Sequence, residues 1–326
     1  MKITLSLLVL FSLSLYSLEE EDISFSLILG NVNKNEVNKA FLSLPKRSSV
    51  NILRMCNLMT SAKEKYNLND YEAVYLVYYW ISQTIQIDCE NKFSQYSTPL
   101  NTYNQGKSSY AGISALFFTM LSNLGIESNI VTGKTKIITD NTSNGQIFEI
   151  KDHIWNYAYI DKKPYLFDPT SGIGYCDEST FKKKFTDFFF GPKPEYLIYI
   201  NYPNDSSWQL LDKTISSTKF NSWPYMSGRF FEYGFRSFTP EGELEINSSS
   251  KIQLNSETSK ALHTMCMSVS FSYGKWTNTK YTNCELSNGV FKANFSGSEK
   301  MNFFIMFAAP QDEEIMKTIM IYKVKN

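Results

Sequence analysis

Apolar residues recur at helical spacing through the first part of the chain, and this pattern predicts three main helices. They cover about Ser49–Tyr66, Tyr71–Ile85 and Ala111–Leu124. The second of them is apolar on nearly every side, which places it in the interior of the fold. Asn69 or Asp70 is suited to cap its first turn.

Shorter runs rich in β-branched and aromatic residues follow the helices and predict strands. They cover Glu127–Lys136, about His153–Ile160, and Tyr165–Asp168. Asn91–Gly106 is polar and irregular, and it predicts a long loop that leads into the third helix. The first part of the chain therefore mixes helices and strands and predicts an α+β domain.

The last two of these strands predict a hairpin that brings two ionisable side chains together. A two-residue turn at Asp161-Lys162 places Trp155 opposite Asp168. His153 is then the diagonal neighbour of Asp168 on the same face, with backbones about 7–8 Å apart and side chains within reach.

From about Asp212 the pattern changes to short alternating apolar runs separated by Gly, Asn and Ser turns. This rhythm predicts an antiparallel β-sandwich of roughly 110 residues. A chain of 326 residues is long enough for two domains, and we expect a first domain at 18–211 and the sandwich at 212–326. The short apolar runs that predict the strands of this sandwich are Arg229–Phe235, Ser268–Tyr273, Val290–Phe295, Phe303–Phe307 and Ile319–Val324.

The N-terminus has the layout of a secretory signal peptide. Lys2 precedes the apolar run Ile3–Leu15, small Ser17 follows, and Glu19–Glu21 is acidic. The run is short for a membrane span. We expect cleavage after residue 17 and a secreted or cell-surface protein, with a retained signal anchor as the alternative. The formal net charge of zero gives no case for binding nucleic acid or an anionic membrane.

In a secreted chain the five cysteines tend to pair. Cys266 and Cys284 lie on adjacent strand-like runs and are expected to bridge. At most one further pair forms among Cys56, Cys89 and Cys176. Glycosylation sequons begin at Asn141, Asn204, Asn247 and Asn294.

His153 and Asp168 predict the His–acid half of a nucleophilic triad, in which the acid orients the imidazole. A Cys at a helix N-terminus would complete it, because the helix dipole and an imidazolium stabilise a thiolate. The residue that begins the third helix is Tyr110 instead. A phenol, with a pKa near 10, does not replace a thiol. Neighbouring Ser108 and Ser109 are out of register for the nucleophile position.

Several motifs resemble the transglutaminase-like superfamily, in particular its kyphoscoliosis-peptidase-like branch. Gly106–Phe117 aligns without a gap with the family's Gly-Lys-x-Val-Cys-x-Gly-Tyr-Ala-x-Leu-Phe, and Tyr110 stands at the Cys position. The family's His-x-Trp-Asn is His153–Asn156, and its Asp-x-Thr-x-Gly-x-Gly is Asp168–Gly174. The resemblance covers about Asn51–Leu211.

The resemblance implies a papain-like α+β core followed by an immunoglobulin-like β-sandwich. It assigns His153 and Asp168 to a triad remnant and Tyr110 to the nucleophile position. The family's thiol chemistry, acyl transfer between Gln and Lys side chains or peptide cleavage, is not carried over to Tyr110.

We therefore predict a secreted pseudoenzyme that binds a protein or peptide in the former substrate cleft. One alternative is an active acyltransferase or peptidase with a relocated nucleophile, such as Cys176 or Ser109. A second alternative is a structural surface protein in which the cleft has no role. No cofactor is expected, and two unclustered His without a Cys-x-x-Cys pair make a poor metal-ligand set.

Overall fold

The structure, a computed structural model, describes residues 25–325 apart from 140–145, 178, 246–250, 258–261, 273–274, 283, 288–289, 295–300 and 312–315. The expected signal peptide, residues 1–17, and the sequon asparagines Asn141 and Asn247 lie outside the described residues. Asn204 is exposed, and Asn294 ends a strand. Within the described part of the chain, no helix is long and apolar enough to cross a membrane.

Helices dominate the first half of the chain. The predicted helices are confirmed as α2, α3 and α5, each within three residues of its expected ends. The α-helices are α1 Lys34–Ser43, α2 Ile52–Lys65, α3 Asp70–Thr84, α4 Pro99–Gln105, α5 Tyr110–Asn123, α6 Pro169–Ile173, α7 Pro194–Leu197, α8 Ser217–Ser222 and α9 Gly228–Glu232.

The strands form separate sheets in the two parts of the chain. In order they are β1 Gln86–Ile87, β2 Lys107–Ser108, β3 Ser128–Ile138, β4 Phe148–Ile160, β5 Lys163–Phe167, β6 Gly174–Asp177, β7 Thr180–Lys183, β8 Asn201–Pro203, β9 Tyr225–Met226, β10 Phe235–Thr239, β11 Leu244–Glu245, β12 Lys251–Ser256, β13 Leu262–Ser272, β14 Lys275–Thr282, β15 Cys284–Ser287, β16 Val290–Asn294, β17 Phe303–Pro310 and β18 Lys317–Lys325.

The first part is built on an antiparallel sheet in the order β5-β4-β3-β8. Helix α5 contacts β3 and β4 of this sheet and also helix α3. Its apolar residues Ile113, Leu116 and Phe117 are fully buried, as the helical spacing predicts. The start of α5 is therefore fixed against the middle of the sheet.

Helix α3 begins with a reciprocal cap, as expected of Asn69. The Asn69 side chain accepts the Glu72 backbone N–H at 2.9 Å, and a Glu72 carboxylate oxygen accepts the Asn69 N–H at 2.8 Å. The other Glu72 oxygen accepts the N–H of Asn33, the cap residue of α1, at 3.1 Å. One nearly buried carboxylate thus holds two helix starts together.

The second part contains two sheets, in the orders β10-β12-β16-β15 and β11-β18-β17-β13-β14. Most of the pairs are antiparallel, as expected of a β-sandwich, and β11 with β18 is a parallel pair. Its immunoglobulin-like character stays a prediction. The largest apolar cluster includes residues from both sides of position 212; the rings of Phe188 and Phe231 stack with centroids 5.7 Å apart. The two parts therefore share a packed boundary.

Two predicted segments are wrong. The expected loop at 91–106 contains helix α4, which begins with Thr98 as cap and Pro99 in its first turn, a start signal that the sequence interpretation overlooked. The expected strand Arg229–Phe235 is mostly helix α9. Its adjacent residues Phe230 and Phe231 are both buried, and a helix accommodates this, whereas a strand would direct them to opposite faces.

The expected Cys266–Cys284 bridge is also wrong, because both residues carry free thiols. Cys266 belongs to β13 and Cys284 to β15, which lie in different sheets. The two thiols form a hydrogen bond. The pKa of Cys266 is raised mainly by burial and further by this hydrogen bond. Among the other three cysteines one pair forms, as expected: Cys89 is bonded to Cys176, and the thiol of Cys56 is free.

The double cap predicts that Glu72→Ala lowers the free energy of unfolding by about 2–4 kcal/mol, because two backbone N–H groups lose a charged acceptor. Urea denaturation checks this value. The control is Glu64→Ala, since Glu64 lies exposed near the end of α2; its change should stay within about 0.5 kcal/mol. Equal losses in the two variants would contradict the role of the cap.

Candidate active site

The hairpin between β4 and β5 brings His153 and Asp168 together, as predicted. Its turn is two residues long, and Asp161 and Lys162 have φ values of 51° and 63°, as a type I′ turn requires. The register pairs Asn156 with Phe167, so the next positions along are Trp155 and Asp168. His153 Nε2 lies 2.7 Å from Asp168 Oδ2.

The Asp168 carboxylate is completely buried and accepts five hydrogen bonds. Apart from His153, the donors are the Thr170 hydroxyl at 2.7 Å, the Ser171 N–H at 3.0 Å and hydroxyl at 2.8 Å, and the Asn201 amide at 2.9 Å. Three of these donor groups belong to two residues of helix α6, for which Asp168 is the N-cap. A buried charge with this many donors is well compensated.

These contacts decide the ionisation of Asp168. Burial favours the neutral acid, but the charge and hydrogen bond of His153, together with the bonds from Ser171 and Thr170, outweigh it and lower the pKa of Asp168 well below its ordinary value. The ionised carboxylate therefore holds Nε2–H of the imidazole, which leaves Nδ1 as the ring atom available for chemistry.

Asn201 is a site residue that the sequence interpretation missed. It lies on β8, which pairs with β3 across Thr135, and its amide donates to the same Asp168 oxygen that His153 contacts. Asn201 is 33 residues away from Asp168 in the chain. A single buried Asn on a short strand gives no signal of its partner until the pairing of that strand is known.

The second ring nitrogen of His153 has no hydrogen-bond partner among the described residues, although the side chain is only 3% exposed. The ring packs against Trp155 on β4, with centroids 5.9 Å apart and planes inclined by 25°. Tyr110 meets it edge-on, with centroids 5.1 Å apart and planes at 82°. An aromatic ring thus lies beside the imidazole.

Helix α5 begins at Tyr110, the position assigned to the nucleophile. Ser109 caps the helix by accepting the Gly112 N–H at 3.3 Å. Ser108 lies in a buried hydroxyl cluster, with Ser97 Oγ at 2.6 Å and Thr102 Oγ1 at 2.9 Å. Both serines are therefore engaged in the structure of the helix start.

Polar contacts lock the start of α5 onto the sheet. The Ser114 hydroxyl donates to the Ile154 carbonyl at 3.0 Å, and the Asn156 amide donates to the Ser114 carbonyl at 3.0 Å. Gly112 fits closely over the hydroxyl cluster, because a Cβ there would lie 2.1 Å from Ser108 Oγ. These contacts fix the distance between Tyr110 and His153.

Cys176, the alternative nucleophile, is bonded to Cys89 with Cα atoms 5.6 Å apart. Its sulfur is therefore not a thiolate in this structure, in line with the disulfide role considered for it. The bond connects the segment before α4 to strand β6. A loop closed over 87 residues stabilises the folded chain by roughly 4–5 kcal/mol in the chain-entropy account.

A cavity of about 560 Å³ adjoins the site. Its lining includes Tyr110, Thr170 and Ser171 from the first part of the chain and Tyr225 and Thr318 from the second. Its size is that of a site for a small ligand or a short peptide segment. In the described part of the chain, no three His, Cys, Asp or Glu side chains gather as a metal site requires.

The lowered pKa of Asp168 predicts a pH-dependent contribution to stability. Since the pKa is lower in the folded state, this contribution is complete above the unfolded pKa, near 4, and is lost as the pH falls through the folded value. Asp168→Asn should lower the free energy of unfolding by about 3 kcal/mol or more at pH 7. It should also lose less stability than wild type between pH 4 and pH 2.

Urea denaturation over this pH series measures both effects. Asp152→Asn is the matched control, because the Asp152 carboxylate is 76% exposed and pairs with Lys134 on the surface. That variant should follow the wild-type curve within about 0.5 kcal/mol. Parallel curves for Asp168→Asn and wild type would show that the buried carboxylate does not govern acid stability.

The sequence of this region matches the profile of the transglutaminase-like superfamily over residues 60–169. The matched region contains Tyr110, His153 and Asp168. The kyphoscoliosis peptidase of Mus musculus is 30% identical over 196 residues, which are 58% of this chain and 29% of that protein. The Homo sapiens protein is 29% identical over 195 residues, 57% of this chain and 29% of its own length.

The chain thus spans less than a third of the length of these curated relatives. A solved structure described as the crystal structure of a TGase aligns with 48% of this chain and 35% of its own, at 16% identity and a TM-score of 0.28. That likeness is too low to bear on the fold. Residues 60–169 thus match a transglutaminase-like domain, and over somewhat more than half of its length the chain is similar to the kyphoscoliosis peptidases.

Proposed function

We propose that this chain is a secreted, catalytically silent member of the superfamily that binds a protein or peptide segment in the cleft beside the triad remnant. The observation that carries the proposal is the Tyr110 ring, which packs edge-on against His153 at the start of α5. In relatives that use a thiol, this helix position holds the nucleophile. Here the imidazole faces a phenol ring.

The retained polar residues support a binding role. His153, Asp168 and Asn201 are nearly or fully buried and form a continuous hydrogen-bonded set. With this set in place, the walls of the cleft are rigid. The adjoining cavity of about 560 Å³ offers aromatic, hydroxyl and aliphatic surface to a ligand.

The location outside the cell is part of the same proposal. The N-terminal pattern of Lys2, an apolar run and Ser17 supports secretion. The Cys89–Cys176 disulfide is compatible with an oxidising environment.

A nucleophile restored at position 110 should restore thiol chemistry. We expect wild type to incorporate no amine into a glutamine-containing protein and to cleave no peptide. Tyr110→Cys should gain one of these activities, because the new Sγ lies at the N-terminus of α5 and close to Nδ1 of His153. Amine incorporation and peptide cleavage are measured with wild type, Tyr110→Cys and Tyr110→Cys/His153→Ala.

The double variant is the control, since activity that persists without His153 does not use the triad. Activity in wild type would refute the silent-enzyme proposal and redirect attention to another nucleophile. If Tyr110→Cys is folded and inactive, the site has lost more than its nucleophile.

Binding in the cleft is tested with random heptapeptides displayed on phage and selected on the mature protein. Ile138 lines the cavity and is 43% exposed, so Ile138→Trp should narrow the cleft without disturbing the core. Leu53→Trp is the matched control on the exposed face of α2.

Fluorescence anisotropy should show selected peptides bound at least tenfold more weakly by Ile138→Trp and unchanged by Leu53→Trp. Peptides that bind both variants as they bind wild type, or that crosslink only to strands β10–β17, would refute cleft binding.

A further inference from the structure

The segment of residues 88–98, here named the cover segment, contains no helix or strand and runs past the start of α5. Its backbone meets the α5 start twice: the Asp88 N–H donates to the Ser108 carbonyl at 2.8 Å, and the Lys92 carbonyl accepts the Tyr110 N–H at 3.0 Å. The Ser97 hydroxyl lies 2.6 Å from Ser108 Oγ. The cover segment is thus held against the candidate active site.

The cover segment adds a second aromatic ring outside Tyr110, so that two rings lie over the imidazole. Phe93 meets Tyr110 edge-on, with centroids 5.5 Å apart, and Tyr110 in turn meets His153. The exposed fraction falls from 41% at Phe93 to 3% at His153. Phe93 and Tyr110 therefore keep water and reagents from His153.

The Cys89–Cys176 disulfide ties this cover to the opposite side of the site. Cys89 is the second residue of the cover segment. Cys176 lies in β6, which directly follows α6, the helix whose Thr170 and Ser171 bind the Asp168 carboxylate. One covalent bond therefore joins the segment that covers His153 to the strand that directly follows the helix holding Asp168.

We propose that the Cys89–Cys176 disulfide is a redox-controlled clamp that keeps the cover segment closed over Tyr110 and His153. In the reducing step, a thiolate of a dithiol reductant attacks one sulfur and forms a mixed disulfide, and the other cysteine leaves as a thiolate that takes up a proton. The second thiol of the reductant then resolves the mixed disulfide, so that two cysteine thiols and one reductant disulfide result.

After reduction the cover segment is held by non-covalent contacts, among them the hydrogen bonds and ring contacts described above and the ion pair of Asp88 with Lys107. These are individually worth about 1 kcal/mol and open far more readily than a covalent bond. Without Phe93 against it, the Tyr110 ring can rotate away from the imidazole, so reduction exposes the His153 ring. This inference concerns access to the imidazole and does not depend on whether a peptide binds the cleft.

The chain contains only two histidines, and this makes the test direct. His263 on β13 is exposed, while His153 is buried. Diethyl pyrocarbonate modifies exposed imidazoles, and mass spectrometry of the peptides measures each rate. In the oxidised protein we expect His263 to react and His153 to be protected. After reduction with dithiothreitol and capping of the thiols with iodoacetamide, the His153 rate should rise at least tenfold, with His263 unchanged.

The double variant Cys89→Ser/Cys176→Ser should show the same His153 rate without any reductant. Cys56→Ser is the matched control, because it removes a buried free thiol outside the clamp, and it should keep His153 protected until reduction. Amide hydrogen exchange gives a second readout. The Tyr110 amide, bound to Lys92 of the cover, should exchange at least tenfold faster in the reduced form.

Helix α3 supplies the internal reference for exchange, since its residues belong to the core. If α3 amides exchange faster together with Tyr110, the disulfide holds the whole fold and the clamp proposal is refuted. Continued protection of His153 after complete reduction would also refute it, because Tyr110 and the cover segment would then stay closed without the bond.

Discussion

The carboxylate of Asp168 imposes the strictest requirement in this structure, because a buried charge is tolerated only when hydrogen-bond donors surround it. The donors come from β4, α6 and β8, so three elements must meet at one point. His153 supplies one donor and Asn201 another. The register of the central sheet and the short helix after β5 follow from this requirement, and so does the position of the imidazole.

Within this arrangement, the contacts that position helix α5 do not involve the side chain with which the helix begins. Helix α5 is fixed by its apolar face and by Ser114 and Asn156, which bind β4 and the helix backbone. None of these contacts uses the side chain at position 110. The scaffold therefore does not depend on the side chain at position 110, where the Tyr110 ring packs beside His153.

Local sequence signals predicted what depends on neighbours in the chain. The spacing of apolar residues gave α2, α3 and α5, and a two-residue turn gave the β4–β5 hairpin, which brought His153 and Asp168 together as expected. The strand predicted at Arg229–Phe235 is wrong because the apolar spacing there fits both a strand and a short helix. Phe230 and Phe231 are both buried, and only the helix accommodates this.

The sequence by itself determined the α+β character of the first part, the strand-rich second part and the His–acid pair, since each follows from periodicity or from residues close in the chain. Only the tertiary structure decided the roles of Asn201 and the Cys89–Cys176 bond. Asn201 meets Asp168 through the pairing of β8 with β3, and Cys89 meets Cys176 across 87 residues. Such contacts depend on how whole elements pack, and no local pattern records that packing.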